Sequence, residues 1–404
     1  MDIKTATHPP DMKTGIAFII ILSALMAFTS LSTDIYLPAM PAMSAALHGD
    51  SELTVTGFLI GFAIAQLIWG PISDQLGRKT PLYIGMIIFA IGSAGCALST
   101  DMSQIVFWRV IQAAGACTGP MLARAMIRDL FTRTRAAQML STLIIVMAIA
   151  PIAGPLMGGQ IIRYSQWPVI FWFLAVVGAL MFISLLWLPE TLPAEKRVKA
   201  SSRQIVRNYR TLLQNKTFMR FTLCVTFYYV AAYAFIVGSP AVYISYFGID
   251  PQHYGWLFAI NILGLVTVST LNKRLVQKVR LETLLKSASF IAALMTFVMC
   301  FVLETHPAAL AGLVICIFIF FSMNGIIAAS ATAAALDAVP NATGSASALI
   351  GSLQYGSGIV SSLLLAGLNN GTPWIMVSIM TVFTLLSFLS TLGGGKAQPK
   401  MAEI

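Results

Sequence analysis

The chain has 404 residues, 57% of them hydrophobic and only 10% charged, with a formal net charge of +10. Soluble domains carry about a quarter charged residues, so a water-facing globule is excluded and the chain reads as an all-α polytopic membrane protein. No alternation with period two runs over the length of a barrel strand, which excludes a transmembrane barrel.

Apolar runs long enough to cross about 30 Å of hydrocarbon as helices recur along the whole sequence. Twelve spans are expected, near 16–38, 53–72, 81–99, 103–128, 137–161, 168–188, 219–245, 254–272, 283–303, 308–331, 343–367 and 372–392. The first follows Lys4 and Lys13 but is too long for the core of a signal peptide, so it is read as a span. The longest polar stretch, Glu190 to Lys216, separates the sixth span from the seventh. It divides the chain into a six-helix half over 1–189, a basic cytoplasmic linker over 190–216 and a second six-helix half over 217–404. Each half has a basic turn between its second and third spans, Arg78-Lys79 and Lys273 to Arg280, a weak trace of an internal repeat.

With the N-terminus inside, all of the 25 Lys and Arg except Arg109 and Arg163 fall on the cytoplasmic side. The positive-inside rule therefore puts both termini in the cytoplasm and explains the positive charge without nucleic acid. The five cysteines form no CxxC pair, and the four histidines lie outside the spans. No metal or other cofactor is expected. No GxxxxGK[ST] phosphate loop is present, so no nucleotide-binding site of that kind is indicated.

Between the second and third spans lies Gly70-Pro71-Ile72-Ser73-Asp74-Gln75-Leu76-Gly77-Arg78-Lys79-Thr80. Gly70-Pro71 is expected to disturb the second helix near its end. Gly77 supplies a backbone angle that other residues resist. Thr80-Pro81 reads as an N-cap followed by proline at the first helical position. Arg78 and Lys79 precede the positive end of a helix dipole and need a carboxylate partner, of which Asp74 is the nearest. The turn is either a gate or only a topogenic positive loop.

Ionisable residues inside spans are costly and by default functional. Asp34 in the first span and Arg109 in the fourth come to nearly the same depth at 1.5 Å per residue. They read as a proton-binding carboxyl with a cationic neighbour, as a structural ion pair between two helices, or, if Asp34 lies outside the hydrocarbon, as an ordinary loop residue and a lone buried arginine. In the fifth span, Ala150-Pro151-Ile152-Ala153-Gly154-Pro155-Leu156-Met157-Gly158-Gly159 combines two prolines with three glycines. Such a segment suits either a functional bend or generic close helix packing.

Together these segments resemble the major facilitator superfamily, specifically its drug:proton antiporters. The Gly70–Thr80 turn is similar to the superfamily's loop signature, although Gln75 stands where arginine is usual. Arg109-Val-Ile-Gln112-Ala-Ala-Gly115 is similar to the span-four signature, and Gly154-Pro155-Leu-Met-Gly158-Gly159 to the span-five antiporter signature. Thr33-Asp34-Ile35-Tyr36-Leu37-Pro38-Ala39 resembles the bicyclomycin/chloramphenicol-resistance branch. Arg128-Asp129, Pro189-Glu190-Thr191 and Gly344 to Leu349 fit that branch too.

The resemblance implies twelve transmembrane helices in two halves and proton-driven export of small amphipathic antibiotics across the bacterial inner membrane. It gives Asp34 and Arg109 to proton coupling. It gives Gly70, Asp74, Gly77, Arg78, Lys79, Arg128 and Asp129 to a cytoplasmic latch, expected to pair when the opposite face is open. Gly154, Pro155, Gly158 and Gly159 become the antiporter bend. The drug cavity is expected between the halves, with Tyr36, Gln112, Tyr229, Tyr233, Asn261, Asn324 and Gln354 as candidate contacts; for the aromatics, core packing is the competing role. The expected partners are a small-molecule drug, protons and the lipid bilayer, with the chain a monomer. A metabolite exporter on the same fold is the alternative. An enzyme is excluded by the lack of HExxH, paired intramembrane carboxylates or intramembrane histidine.

Overall fold

A computed structural model of the chain describes residues 16–130, 133–197, 202–304, 309–339, 343–368 and 370–392. The described residues form helices and turns with no strand. In order the helices are α1 (Ile16–Asp34), α2 (Met40–Leu47), α3 (Glu52–Leu76), α4 (Lys79–Ala97), α5 (Met102–Ala116), α6 (Thr118–Leu130), α7 (Arg133–Tyr164) and α8 (Pro168–Ser184). After α9 (Ser202–Gln214) come α10 (Lys216–Pro240), α11 (Pro251–Leu275), α12 (Leu281–Val302), α13 (Ala309–Ser322), α14 (Asn324–Asp337), α15 (Thr343–Leu368) and α16 (Trp374–Leu392). Eleven units are long and apolar enough to cross a membrane, with α1–α2, α5–α6 and α13–α14 each counted as one. The 32-residue α7 has the length of a twelfth.

Local chemistry sets the helix ends. Asp101 opens α5 by accepting a hydrogen bond from the Gln104 amide at 2.9 Å, and Asn215 opens α10 through the Phe218 amide at 3.0 Å. Asp250 does the same for α11 through the Gln252 amide at 3.2 Å, with Pro251 in the first turn where its missing N–H costs nothing. Gly77 leaves α3 at φ 92°, as the sequence requires. The expected disturbance at Gly70-Pro71 does not occur, because α3 runs through both residues to Leu76. Likewise α7 stays helical through Pro151 and Pro155.

Successive spans alternate direction. One end of the bundle gathers the turns holding Arg78-Lys79 and Lys273 to Arg280, and is called the basic end. The other gathers the turns holding Asp50, Asp101 and Asp250, and is called the acidic end. Helices α1–α8 pack chiefly among themselves, with α5 against α3 and α4, α4 against α8, and α1 against α6 and α7. Helices α10–α16 do likewise around α10, which touches α14, α15 and α16. The two groups meet along α7–α11 and α3–α15.

Close approach within the first group depends on glycine. A Cβ at Gly92 would stand 2.5 Å from the Gln112 nitrogen and 2.6 Å from its Cα, so α4 and α5 touch backbone to backbone. Gly92→Leu is expected to force these helices apart at a cost of about 1–3 kcal/mol or more. The check is the melting temperature of the detergent-purified protein, which should fall well below that of a Gly92→Ala variant.

Candidate functional site

The first span is not one helix. Pro38 has no N–H to continue the ladder, and α1 stops at Asp34. Leu37–Ala39 form a 3₁₀ turn, and α2 resumes at Met40. Asp34 therefore sits on the last residue before a break, 7% exposed, and its Oδ1 accepts a hydrogen bond from Thr33 Oγ1 at 3.0 Å. Tyr233, Tyr254 and Tyr355 of the second group lie within its electrostatic reach. The carboxylate thus faces the seam between the two groups.

Arg109 is close by but does not pair with it. The guanidinium is 0% exposed and has no carboxylate at salt-bridge distance among the described residues. Its Nη1 donates to the Ser32 carbonyl at 3.2 Å and to Gln112 Oε1 at 2.6 Å, and its Nε donates to the Thr54 carbonyl at 3.3 Å. The rings of Tyr36 and Phe58 cover it, each with its centroid 4.4 Å from Cζ. Its Nη2 has no hydrogen-bond partner. Gln112 in turn donates to Ser93 Oγ at 2.7 Å, and Tyr36 accepts from Thr54 Oγ1 at 3.1 Å. The ion pair considered from sequence is therefore replaced by a cage of carbonyls, an amide and aromatic faces. Tyr36 and Gln112, both 0% exposed, belong to that cage.

On the second group, Tyr229 and Tyr233 lie one turn apart on α10, with ring centroids at 6.4 Å, and Tyr229 lies beside Asn324. Asn324 begins α14 where the tenth span breaks, 8% exposed, with its Oδ1 unpartnered. Asn261 on α11 donates to the Leu257 carbonyl at 3.0 Å, leaving its own Oδ1 unpartnered. Gln354 is half-buried on α15 beside Tyr355. Tyr355 was not among the sequence candidates. It packs against Phe62 of α3 at 4.5 Å between centroids and, with Asp34 and Tyr233, occupies the seam.

The seam is shut at one end. Thr56 Oγ1 donates to Ser362 Oγ at 2.6 Å, and a Cβ at Gly358 of α15 would collide with Leu59 Cδ1 of α3. On α7, Gly154 and Gly158 receive the α1 break: Cβ atoms there would meet Asp34 Cβ at 3.3 Å and collide with the Ile35 carbonyl, respectively. Gly159 faces the second group, where a Cβ would stand 2.6 Å from the Pro251 carbonyl, and Leu156 lies against Gly255. Pro155 stands between these contacts inside an unbroken helix. Toward the basic end, a Cβ at Gly351 of α15 or Gly70 of α3 would meet nothing within 4 Å.

At the basic end, Arg78 joins three elements. Its Nη1 donates to Asp74 Oδ1 at 2.7 Å and to Ser73 Oγ at 2.9 Å, and its Nε donates to Asp129 Oδ2 at 2.8 Å. Burial disfavours the Arg78 charge, and Asp129 and Asp74 more than restore it. Thr191 Oγ1 also donates to Asp129, and Lys79 Nζ reaches the Leu186 carbonyl at 3.5 Å. The side chain of Arg128 lies outside the described residues.

The expected cap at Thr80 is not formed. Glu190 takes that role from 111 residues away, accepting from the Lys79 amide at 3.0 Å and from the Arg78 amide at 2.9 Å. It also accepts from the amides of Thr191 and Leu192, both at 3.0 Å. Burial pulls the Glu190 carboxyl upward, but these four amides outweigh it and hold the carboxyl below its ordinary 4.5. Every member of this network belongs to α1–α8 and the segment that follows. Among the described residues it does not link the first group to the second. The reason is geometric: its carboxylates and Arg78 lie on one side of the seam.

Residues 21–362 match the Major Facilitator Superfamily, and the chain belongs to that family. It is a membrane transporter, not an enzyme. It is 34% identical to the uncharacterized MFS-type transporter YdgK of Bacillus subtilis, over 96% of this chain and 97% of that one. It is 29% identical to a bicyclomycin resistance protein homolog of Haemophilus influenzae, over 94% and 96% of the two chains. With multidrug resistance protein D of Escherichia coli the identity is 26%, over 93% and 95%. Among solved structures, the nucleoside transporter NupG superposes with a TM-score of 0.76 at 14% identity, over 94% of this chain and 98% of that one, a likeness of fold alone.

Three outcomes follow from this geometry. Asp129 is the more enclosed partner of Arg78, its side chain 18% exposed against 50% for Asp74, so Asp129→Asn should lower the melting temperature more than Asp74→Asn. Glu190→Gln should cost about 1 kcal/mol, the worth of a helix cap. Because the folded carboxyl titrates below 4.5, that contribution is present at neutral pH and is lost as the pH falls below 4.5. Melting curves of wild type and Glu190→Gln should therefore differ at neutral pH and converge in acid. Separately, Gly158→Leu should drive the α1 break off α7 and reduce transport by roughly tenfold or more, measured as export per folded molecule.

Proposed function

We propose that the protein is a proton-coupled antiporter of the bacterial inner membrane that exports small amphipathic drugs, chloramphenicol-like compounds among them. The observation that carries this reading is Asp34, a carboxylate at a helix break, facing the seam and with no cation at salt-bridge distance among the described residues. The site offers an exchangeable negative charge beside the tyrosines of α10 and α15. Such a wall suits neutral or cationic amphiphiles and disfavours anions. The unpartnered amide oxygen of Asn324 adds an acceptor for a substrate hydroxyl or amide. The names of the bicyclomycin- and multidrug-resistance relatives support the same substrate class.

In the cycle we propose, the two groups of helices act as halves joined by the 190–216 linker, and the basic end faces the cytoplasm, with both termini there. With the seam parted at the basic end, drug enters from the cytoplasm and settles against Tyr229, Tyr233 and Tyr355. Its arrival favours release of the Asp34 proton to the cytoplasm. The halves then rock, α3 and α15 closing at the basic end while α7 and α11 part at the acidic end. Drug leaves, and Asp34 takes a proton from outside. Arg109 ties the Ser32 carbonyl, just before the break, to the Thr54 carbonyl of α3, and so senses any shift of Asp34. The Arg78 network keeps the first half rigid during rocking and does not clamp it to the second. One pH unit supplies about 1.4 kcal/mol per proton and 100 mV adds roughly 2.3 kcal/mol, enough for a drug gradient of about two to three orders of magnitude.

The test uses proteoliposomes with an imposed proton gradient. Wild type should concentrate a chloramphenicol-like drug uphill, whereas Asp34→Asn should lose uphill transport and drug-induced proton release while still binding neutral drug. Arg109→Ala should reduce both by roughly tenfold or more, since it leaves two carbonyls and Gln112 unpaired. Uphill accumulation by Asp34→Asn would sink the assignment.

A further inference from the structure

A cavity of about 270 Å³ opens at the acidic end of the seam. One wall carries Ser44, Asp50 and Glu52 from the first group, and the other carries Val242, Ser245 and Thr372 from the second. Glu52 also lines a smaller neighbouring cavity, against Gly238 of α10, Leu365 of α15 and Met376 of α16. It is therefore the residue at which the two groups close over one another.

Glu52 is 7% exposed, and its carboxylate has no hydrogen bond from another residue and no cation at salt-bridge distance among the described residues. Its own backbone amide is the single donor. The first turn of α3 offers a partial positive charge, but the ionisable neighbour on the same cavity is Asp50, of the same sign. From α2 comes the hydroxyl of Ser44, from the π-helical turn Ala241–Tyr246 the hydroxyl of Ser245, and from the loop before α16 that of Thr372. From α10, α15 and α16 come only uncharged groups. The contrast with Arg78 is direct, since that buried charge has two carboxylates. A carboxylate without a counter-charge is disfavoured in a closing interface, whereas a neutral carboxyl is not.

We propose that Glu52 is a second proton-binding site, loaded from the acidic-end side while the seam is open there, and that its protonation permits the seam to close. This rests on the antiport reading for its role in the cycle and is distinct from the Asp34 site. When the seam parts, the carboxylate regains water and releases its proton to the side it came from. That proton is not carried across. It links closure of the outer face to an acidic exterior, the condition under which Asp34 is also loaded. The sign is fixed: closure binds the proton, so lower pH favours the closed acidic end and higher pH favours the open one.

The test measures the distance between spin labels at two exposed positions of the acidic end, Ala45 on α2 and His253 at the start of α11, in full-length protein in nanodiscs, over roughly pH 5 to 9. The wild-type background should gain closed population by up to about tenfold per falling pH unit through the titration. Glu52→Gln should hold the seam closed with less than roughly a twofold change across the range. Glu52→Asp should restore the pH response, which separates proton binding from a folding defect. Asp34→Asn should keep the response while losing uphill transport. A pH-independent distance in the background protein, or a normal response in Glu52→Gln, overturns the proposal and leaves the Asp34 reading intact. Uphill transport by Asp34→Asn overturns that reading and leaves Glu52 to be judged on the distances alone.

Discussion

Removing a guanidinium from water strips its hydration, and a fold can hold it only where other dipoles take over. Arg109 is completely enclosed, and its replacements come from different helices: the Ser32 carbonyl from α1, the Thr54 carbonyl from α3 and Gln112 from its own α5. Gln112 extends the chain to Ser93 on α4. Four helices are thereby triangulated on one cation, with Tyr36 and Phe58 closing the space above and below it. The aromatic residue that follows the α1 break is held by the same charge. The location of the break, and with it of Asp34, follows from where Arg109 can be satisfied.

From that fixed point the seam is assembled by small residues. Gly154 and Gly158 admit the broken end of the first span against α7, and Gly159 on the same helix admits the start of α11. One helix surface thus touches the carboxylate-bearing turn and the opposite group at once. A change in the volume or charge of the Asp34 region is transmitted to the α7–α11 contact through rigid packing, since close-packed interiors have little slack. At the basic end the Arg78 network and the Glu190 cap tie α3, α4 and α6 of the first group to the segment after α8.

Much of this was legible in the sequence, because charge inside an apolar run has few acceptable explanations. Asp34, Arg109, the Arg78 turn and the glycine-rich fifth span all stood out in that way. What the sequence hid was partnership. Asp34 and Arg109 come to similar depth, but nothing local says that the guanidinium prefers backbone carbonyls to the carboxylate. Thr80 is a sound cap by residue type, yet α4 begins one residue earlier and takes its cap from Glu190, a contact across 111 residues. Gly70-Pro71 suggested a break by soluble-helix rules, which weaken where neighbouring helices cover freed backbone groups. Glu52 was passed over as a loop residue before an apolar run, because burial by the opposite group leaves no periodic trace.

The two groups of helices are unequal in chemistry. The ionisable groups of the central site, Asp34 and Arg109, belong to α1 and α5, whereas α10, α14 and α15 contribute tyrosines and an amide. In the antiporter proposed above, recognition and energy conversion are therefore written on separate stretches of chain. On that proposal, substitutions at Tyr229, Tyr233, Asn324 or Tyr355 would redraw the range of accepted compounds without disturbing a proton-handling residue. Under selection by a changing set of toxic compounds, such a layout lets cargo preference drift quickly on one half while the motor on the other half stays as it is.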